Sequence, residues 1–191
     1  AVVVAYRRRQ FLSDPPSAAA CPVVVVGGIT VGGTGKTPVI IALAEQLQGH
    51  GLQVAVVSRG YGGAVADEPV VVNDRSTAAT VGDEPLLIAL RCDCPVVVGR
   101  QRARAVKKAL EFEPAVILSD DGLQHYAMPR QFEIAVIDSH RQLGNGKLLP
   151  MGPLREPAER LSSVDWVLER NGERPETGFH YVAEQLRHWR S

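Results

Sequence analysis

Short apolar runs alternate along this chain with longer stretches in which apolar residues recur every three or four positions. Near-continuous Val, Ile and Leu runs are typical of strands buried on both faces of a sheet, and the second pattern is typical of amphipathic helices. The predicted strands cover 22–28, 52–58, 69–73, 94–99, 115–122, 132–138 and 164–169. The predicted helices cover 37–51, 82–91 and 100–112, with a short helix before the last strand. This alternation predicts an α/β fold with a mostly parallel sheet and helices on both faces.

The two ends of the chain depart from this alternation. Residues 1–21 run from an apolar start through three consecutive arginines into a linker rich in Pro, Ser and Ala. The arginines fit a membrane-proximal segment at an anionic lipid surface, and they fit a frayed, solvated terminus equally well. Residues 171–191 resemble the start of a further strand and helix that the chain does not finish. We therefore separate 1–21 and 171–191 from a core at 22–170.

Composition narrows the classes of function. The 191 residues carry a formal net charge of zero, and aromatic residues make up 5% of them, which argues against a nucleic acid partner. No apolar stretch approaches the roughly 18 residues of a membrane-spanning helix. Cys21, Cys92 and Cys94 lack the spacing of a zinc site and indicate a reducing compartment.

A glycine-rich segment lies between the first predicted strand and the first predicted helix. It reads TVGGTGKT over 30–37 and matches the P-loop pattern G-x-x-x-x-G-K-[ST], except that Thr30 holds the first glycine position. Glycines let main-chain amides surround an anion, and the following helix adds its positive end. Lys36 is expected to neutralise the β- and γ-phosphates of ATP, and Thr37 Oγ1 to bind Mg²⁺. The fold expected is therefore P-loop NTPase-like.

Two adjacent acids, Asp120 and Asp121, end the apolar run of the strand predicted at 115–122. In a P-loop protein, a carboxylate at the end of a neighbouring strand binds Mg²⁺ or orients a water on it. Adjacent strand residues point to opposite faces, so the two acids are expected to differ in role unless the strand has already ended. A polar turn closed by Gly122 is the alternative interpretation.

Further motifs separate the branches of P-loop proteins. The N-K-x-D pattern that reads guanine is absent from the sequence. The arsenite-pump and cell-division ATPases carry an extra lysine early in the loop, where this chain has Val31. A small-substrate kinase or an unusual ATPase remains.

Six blocks of the sequence resemble the tetraacyldisaccharide 4'-kinase (lipid A 4'-kinase) family of Gram-negative bacteria. The blocks are ITVGGTGKTP, VSRGYGG, VGDEPLLIA, PVVVGRQR, ILSDDGLQHYAMPRQFEIAVID and GNGKLLPMGPLREP. They keep the family's order and spacing over nearly all of 22–170, which identifies this range as a P-loop kinase core. The resemblance implies transfer of the γ-phosphate of ATP to the 4'-hydroxyl of a tetraacyldisaccharide 1-phosphate. It also implies a membrane-associated N-terminal segment, and hence the cytoplasmic face of the bacterial inner membrane.

The resemblance assigns roles residue by residue. Asp83 of GDEP matches the catalytic aspartate, which accepts or steers the proton of the attacking hydroxyl. Without the family, an Asp at a helix start is more often an N-cap. Asp120 and Asp121 belong with Thr37 to the Mg²⁺ side. The residues matched to ATP binding are Thr30, Val31, Gly32, Gly33, Thr34, Gly35, Lys36 and Thr37.

The lipid headgroup candidates are Tyr61, Arg102, Gln124 and His125. Arg102 is a candidate partner of the anionic 1-phosphate, and His125 a hydrogen-bond partner of sugar or phosphate. The alternatives are a solvated basic helix face for Arg102 and a satisfied loop histidine for His125. The loop around Tyr61 is also compatible with a simple flexible turn.

Two features depart from the family. Gly28 stands where the family usually has Asn, so the loop is expected to be less braced. Family members also continue past residue 191 into a part that contributes a histidine partner for the catalytic aspartate, and His180 and His188 lie in a different context. The chain is thus expected to be an N-terminal portion, truncated at both ends, that binds Mg–ATP and transfers phosphate poorly. Another P-loop NTPase, or a non-catalytic ATP-binding remnant, is the alternative.

Overall fold

A sheet of eight strands forms the centre of the part of the chain that the structure describes. The structure is a computed structural model and describes residues 2–64, 67–174 and 176–180. The strands are β1 (Val23–Gly27), β2 (Val54–Ser58), β3 (Val70–Val71), β4 (Val96–Val98), β5 (Val116–Asp120), β6 (Phe132–Asp138), β7 (Trp166–Arg170) and β8 (Gly178–Phe179). Their order is β3-β4-β2-β5-β1-β6-β7-β8, and all neighbours are parallel except β3 and β4. The predicted mostly parallel sheet is confirmed.

Helices cover both faces of this sheet, as predicted. They are α1 (Val2–Ser13), α2 (Lys36–Gly49), α3 (Ala78–Val81), α4 (Asp83–Arg91) and α5 (Arg102–Ala109), with 3-10 turns at Leu110–Phe112 and Ala158–Ser163. Strand β2 shows why two layers form, because all five of its residues are buried. Val54 and Val56 pack in the core layer that holds residues of α2 and α4, whereas Ala55 and Val57 pack in the layer that holds α5. Side-chain alternation along a strand sends neighbours to opposite faces.

The strand predicted at 69–73 is shorter than expected. Strand β3 has two residues, lies at the sheet edge and runs antiparallel to β4. The chain turns away after it, because Asn73 Oδ1 accepts the N–H of Arg75 at 2.9 Å in an Asx turn. The sequence analysis also missed α3, whose first turn is capped by reciprocal hydrogen bonds between Thr77 and Thr80.

The N-terminal segment forms a helix, α1, which the composition of residues 1–21 did not predict. The ring centroid of Phe11 lies 5.6 Å from that of Tyr126, and the guanidinium carbon of Arg130 lies 5.1 Å from the Phe11 centroid. These contacts hold α1 against the core. Among the described residues, none of the helices combines the length and hydropathy that crossing a bilayer requires.

The C-terminal segment contains a short strand at Gly178–Phe179. Strand β8 pairs in parallel with β7 and so extends the same sheet. The helix expected after it falls on 181–191, outside the described residues.

Candidate phosphotransfer site

The glycine-rich loop joins β1 to α2 at the carboxyl edge of the sheet, where ligands of parallel α/β sheets bind. Helix α2 begins at Lys36, one residue earlier than predicted, and Gly35 holds the N-cap position with φ 98°. Gly32 has φ 106°. Both values lie in the left-handed region, which favours glycine and explains these two positions of the motif. The first turn of a helix leaves N–H groups without intrahelical partners, so this geometry suits an anion.

A cleft of about 260 Å³ opens over this helix start. Two charged residues from other elements, Glu84 of α4 and Arg170 of β7, border it together with the loop. The loop and helix residues that line it are Gly33, Thr34, Gly35, Lys36, Thr37 and Pro38. Six consecutive residues of the predicted ATP-binding motif and of α2 therefore face one cavity.

The start of the motif is held by the long loop that precedes β7. The N–H of Val31 donates to Pro153 O at 2.9 Å, and the N–H of Arg155 donates to Ile29 O at 2.7 Å. Thr30 pairs with Leu154 in an isolated antiparallel bridge. The main-chain N–H of Val31 is thus engaged with the loop before β7.

Gly28 and Thr34 form the underside of the loop. A Cβ added at Gly28 would lie 3.4 Å from Thr34 Oγ1, which is buried and has no hydrogen-bond partner among the described residues. The position that a side chain at residue 28 would occupy therefore lies beside a buried hydroxyl. Gln124 Nε2 braces the loop instead, because it donates to Gly28 O at 3.1 Å.

Asp120 is the last residue of β5 and is 1% exposed. Ser58 Oγ donates to its Oδ2 at 3.1 Å, and Arg102 Nη2 donates to its main-chain oxygen. Its Oδ1 is buried without a hydrogen-bond partner among the described residues. Burial, reinforced by the charge of Glu84, raises the pKa of Asp120 to about 6.

Asp121 follows the strand with φ 49° and occupies a different environment. Its Oδ1 lies 3.7 Å from Lys36 Nζ, and its Oδ2 accepts a hydrogen bond from Arg155 Nη1 at 2.8 Å. Burial alone would raise the pKa of Asp121, but Lys36 and Arg155 outweigh burial and lower it. The two acids therefore sit at the same sheet edge with opposite electrostatic surroundings.

A buried acid that the sequence analysis missed, Glu156, anchors the loop before β7. It is 1% exposed and accepts hydrogen bonds from Tyr126 Oη and, at 2.7 Å, from Gln124 Nε2. Arg160 Nε lies 3.6 Å from its Oε2. Gln124, a predicted headgroup residue, thus has its amide nitrogen committed to Gly28 and Glu156.

A groove of about 820 Å³ lies between α1 and the core. The predicted headgroup residues Arg102, Gln124 and His125 line it, together with Arg7 and Arg100. Arg102 is 3% exposed, and its Nε and Nη1 have no hydrogen-bond partner among the described residues. A buried cation with unsatisfied donors beside a cavity is suited to an anion.

Burial shifts both titratable groups of this groove. It lowers the pKa of Arg102 to about 10, although Asp120 opposes the shift, so Arg102 stays charged near neutral pH. It lowers the pKa of His125 to about 4, and the charges of Arg102 and Arg59 add to the effect. His125 is therefore a neutral imidazole that can donate or accept a hydrogen bond.

The structure places the backbone of Tyr61 against Gly82, the residue before Asp83. Tyr61 is 83% exposed on the loop after β2, and a Cβ added at Gly82 would lie 2.6 Å from its main-chain oxygen. Asp83 is exposed and is the first residue of α4, while Gly82 holds the N-cap position. The N-cap interpretation of Asp83 is therefore wrong. Glu84, the next residue of α4, borders the cleft over the start of α2, so Asp83 lies near that cleft.

Replacing Asp120 with asparagine is expected to stabilise the metal-free fold at pH 7.5 by about 1–3 kcal/mol. The folded chain holds the Asp120 proton more tightly than the unfolded chain, whose Asp pKa is about 3.9, so stability falls as pH rises from about 4 to about 6. Asparagine lacks this penalty, and its advantage should vanish toward pH 4. Urea denaturation in EDTA at several pH values measures the difference.

Asp121→Asn is the matched control for this experiment. Its carboxylate is paired with Lys36 and Arg155, so its loss should destabilise the fold at pH 7.5. Equal effects of the two substitutions, or a pH-independent effect of Asp120→Asn, would contradict the assigned environments.

Comparison with known proteins places this chain in a family. The family model described as tetraacyldisaccharide-1-P 4'-kinase (LpxK) matches residues 1–190. A tetraacyldisaccharide 4'-kinase of Alcanivorax borkumensis is 55% identical over 152 residues, which cover 79% of this chain and 46% of the relative. One of Stutzerimonas stutzeri is 55% identical over 169 residues, or 87% of this chain and 51% of the relative. The chain spans about half the length of these curated relatives.

A crystal structure of LpxK from Aquifex aeolicus in complex with ATP has a similar fold. Its TM-score is 0.79 at 28% sequence identity, and the match covers 96% of this chain and 58% of that chain. This similarity confirms the predicted P-loop NTPase-like class. The sequence blocks, the P-loop geometry and the family match agree, and the chain belongs to the tetraacyldisaccharide 4'-kinase family.

Proposed function

We propose that this chain carries the ATP-binding and acceptor-activating machinery of a lipid A 4'-kinase. The reaction moves the γ-phosphate of ATP to the 4'-hydroxyl of a tetraacyldisaccharide 1-phosphate. The observation that carries the proposal is the P-loop lysine, Lys36, 3.7 Å from the strand-end carboxylate of Asp121. This pair lies at the carboxyl edge of the sheet, near a groove lined by the buried Arg102, whose Nε and Nη1 have no hydrogen-bond partner among the described residues.

The ATP side consists of the motif and its supports. Residues 32–37 surround the phosphates with main-chain amides, and Lys36 supplies a positive charge. The ATP-bound relative from Aquifex aeolicus supports this assignment. Val31 and Thr30, which pair with the loop before β7, hold the motif in shape rather than contacting phosphate.

The residues present suit Mg²⁺. Asp120 offers a buried Oδ1 without a partner among the described residues, and Asp121 and Thr37 lie at the same edge. Mg²⁺ in kinases takes one or two carboxylates and completes its shell with phosphate oxygens and water. When bound, it neutralises charge that develops on the transferred phosphoryl group.

The acceptor side is the groove beneath α1. Arg102 pairs with the 1-phosphate of the disaccharide, and neutral His125 hydrogen-bonds sugar or phosphate. Gln124 shapes the groove wall while it braces the P-loop. Tyr61, on its exposed loop against Gly82, is positioned to cover the sugar near Asp83.

Asp83 accepts the proton of the acceptor. The 4'-oxygen attacks the γ-phosphorus, the bond between this phosphorus and the β,γ-bridging oxygen breaks, ADP leaves, and the hydroxyl proton passes to the Asp83 carboxylate. An exposed carboxylate at a helix start is free to approach a bound sugar.

The N-terminal segment places the enzyme at the cytoplasmic face of the inner membrane. Helix α1 exposes Val3, Tyr6 and Leu12 and carries the basic residues 7–9. Exposed apolar and basic side chains suit an anionic lipid interface, where the acylated acceptor resides. Residues 1–21 thus serve as a membrane-proximal segment for the kinase core at 22–170, and 171–191 begin a C-terminal part.

Phosphoryl transfer from [γ-³²P]ATP to tetraacyldisaccharide 1-phosphate in mixed micelles tests the proposal. The expected product is a 4'-phosphorylated, labelled lipid, because the site holds both substrates at one edge. An acceptor already phosphorylated at the 4' position is the matched negative control, and the full-length relative from Alcanivorax borkumensis is the reference. ATP hydrolysis without lipid labelling would favour another P-loop NTPase, and nucleotide binding alone would favour a non-catalytic protein.

A further inference from the structure

A second charged cluster flanks the P-loop on the side away from β5. At its centre is Asp138, the last residue of β6, which is 2% exposed. Its Oδ1 accepts the N–H of His140 at 2.9 Å and the N–H of Arg141 at 3.4 Å, and its Oδ2 accepts a hydrogen bond from Arg170 Nη2. A buried carboxylate with both oxygens engaged fixes the groups around it.

The pairing of β6 with β7 places Arg170 at the cleft that is proposed to bind the nucleotide. Strands β6 and β7 pair in parallel with Asp138 opposite Arg170, so both residues end their strands at the carboxyl edge. The Arg170 side chain is 24% exposed and borders the same cleft as Lys36 and Thr37. A cation held in a fixed direction binds an anion without the entropic cost of ordering a free side chain.

Arg141 adds a second cation on this side. A Cβ added at Gly32 would lie 3.4 Å from Arg141 Nη1, so the guanidinium lies beside the P-loop backbone. Asp138 shapes the turn that carries Arg141 through its two main-chain hydrogen bonds. These bonds and Arg170 outweigh burial and lower the pKa of Asp138, which keeps it ionised near neutral pH.

Positive charges therefore flank the P-loop on two sides. Lys36 and Arg155 meet Asp121 on the β5 side, and Arg170 and Arg141 stand on the β6–β7 side. A nucleotide polyphosphate seated on the loop would lie between them. Glu84 lines the same cleft, and its negative charge repels phosphate. A further cation in the cleft offsets that repulsion.

We propose that Arg170 contacts the phosphates of the bound nucleotide and that Asp138 is the residue that positions it. The inference rests on the proposed ATP-binding function and adds residues outside the P-loop motif to it. The ligand class is a nucleoside di- or triphosphate, because a guanidinium beside residues 33–38 faces the phosphate chain.

Titration calorimetry with Mg–ATP, Mg–ADP and AMP tests the inference on wild type, Arg170→Ala, Arg170→Lys and Asp138→Asn. Arg170→Ala should weaken Mg–ATP and Mg–ADP about 10- to 100-fold, as expected for a charge-assisted hydrogen bond. AMP should be affected less, and Arg170→Lys should restore part of the loss. Arg170→Lys also keeps the test decisive should Arg170→Ala fail to fold.

A double mutant separates positioning from mere structural support. If Asp138 acts through Arg170, Asp138→Asn should weaken Mg–ATP binding when Arg170 is present. In the Arg170→Ala background the same substitution should cause little further loss of affinity. Fully additive losses would overturn the positioning role.

Arg104 and Glu68 form an exposed ion pair that lies outside the P-loop motif. Substitutions of these two residues are therefore the matched controls. Arg104→Ala and Glu68→Gln should leave Mg–ATP affinity unchanged. If Lys36→Ala loses Mg–ATP binding while Arg170→Ala keeps wild-type affinity, the phosphate contact of Arg170 is refuted and the proposed function stands. Should the wild-type chain fail to bind Mg–ATP, both are refuted.

Discussion

Replacing Lys36 with alanine is expected to weaken Mg–ATP binding by about 100-fold or more, since removing the protein partner of a buried, hydrogen-bonded charge pair with a ligand costs about 2–5 kcal/mol. The Lys36 ammonium is buried at the start of α2 and lies 3.7 Å from Asp121 Oδ1. Its loss removes a phosphate contact and leaves Asp121 with only Arg155 as a paired cation among the described residues. The uncompensated carboxylate would then repel the nucleotide.

Titration calorimetry at fixed ionic strength measures this loss. Lys107→Ala is the matched control, because Lys107 is an exposed lysine on α5. A second substitution, Asp121→Asn, should restore part of the affinity of Lys36→Ala by removing the repulsion. Unchanged Mg–ATP affinity in Lys36→Ala would refute the nucleotide-binding role of the loop.

Local sequence was sufficient for most of the fold. Strands β1, β2 and β5 are continuous apolar runs, and burial on both faces of a parallel sheet imposes that composition. The P-loop could be predicted from the sequence because its backbone conformation requires glycines. Gly32 and Gly35 both have positive φ values, which other residues rarely adopt. Such signals lie within a few residues and need no knowledge of tertiary contacts.

The pattern of apolar and polar residues did not predict contacts between segments that are far apart along the chain. Arg155 and Glu156 belong to a Gly/Pro-rich loop whose pairing with the P-loop depends on how that loop crosses the sheet edge. The register that sets Asp138 opposite Arg170 depends on strand order, which periodicity does not encode. The GPLREP block carried the only sequence signal for Arg155 and Glu156, through the family resemblance.

Two residues assigned to the site also make hydrogen bonds that brace it. The Val31 N–H donates to Pro153, and the Gln124 amide nitrogen donates to Gly28 and Glu156, so both residues support the P-loop. A motif match assigns a residue to a site but does not specify which of its atoms faces the ligand. Hydrogen bonds to segments far along the chain decide that.

Replacing Asp83 with asparagine is expected to lower phosphoryl transfer by about 10²–10⁴-fold while Mg–ATP affinity stays within about two-fold, because a proton acceptor contributes to the chemical step. Asparagine keeps the size of the side chain but cannot take the hydroxyl proton. Asp83 is exposed at the first position of α4, and Gly82 before it packs on the Gly60–Tyr61 backbone. The substitution therefore disturbs no buried contact.

Single-turnover transfer from [γ-³²P]ATP, with excess enzyme and long incubation, resolves the rate, and calorimetry gives the affinity. A carboxylate in the first turn also stabilises α4 through the helix dipole by about 0.3–1 kcal/mol, so a small fall in melting temperature is expected. Asp93→Asn, on the exposed turn after the same helix, controls for loss of a charge. Transfer at the wild-type rate in Asp83→Asn, despite that small fall in stability, would leave Asp83 a helix-stabilising residue and exclude it as the proton acceptor.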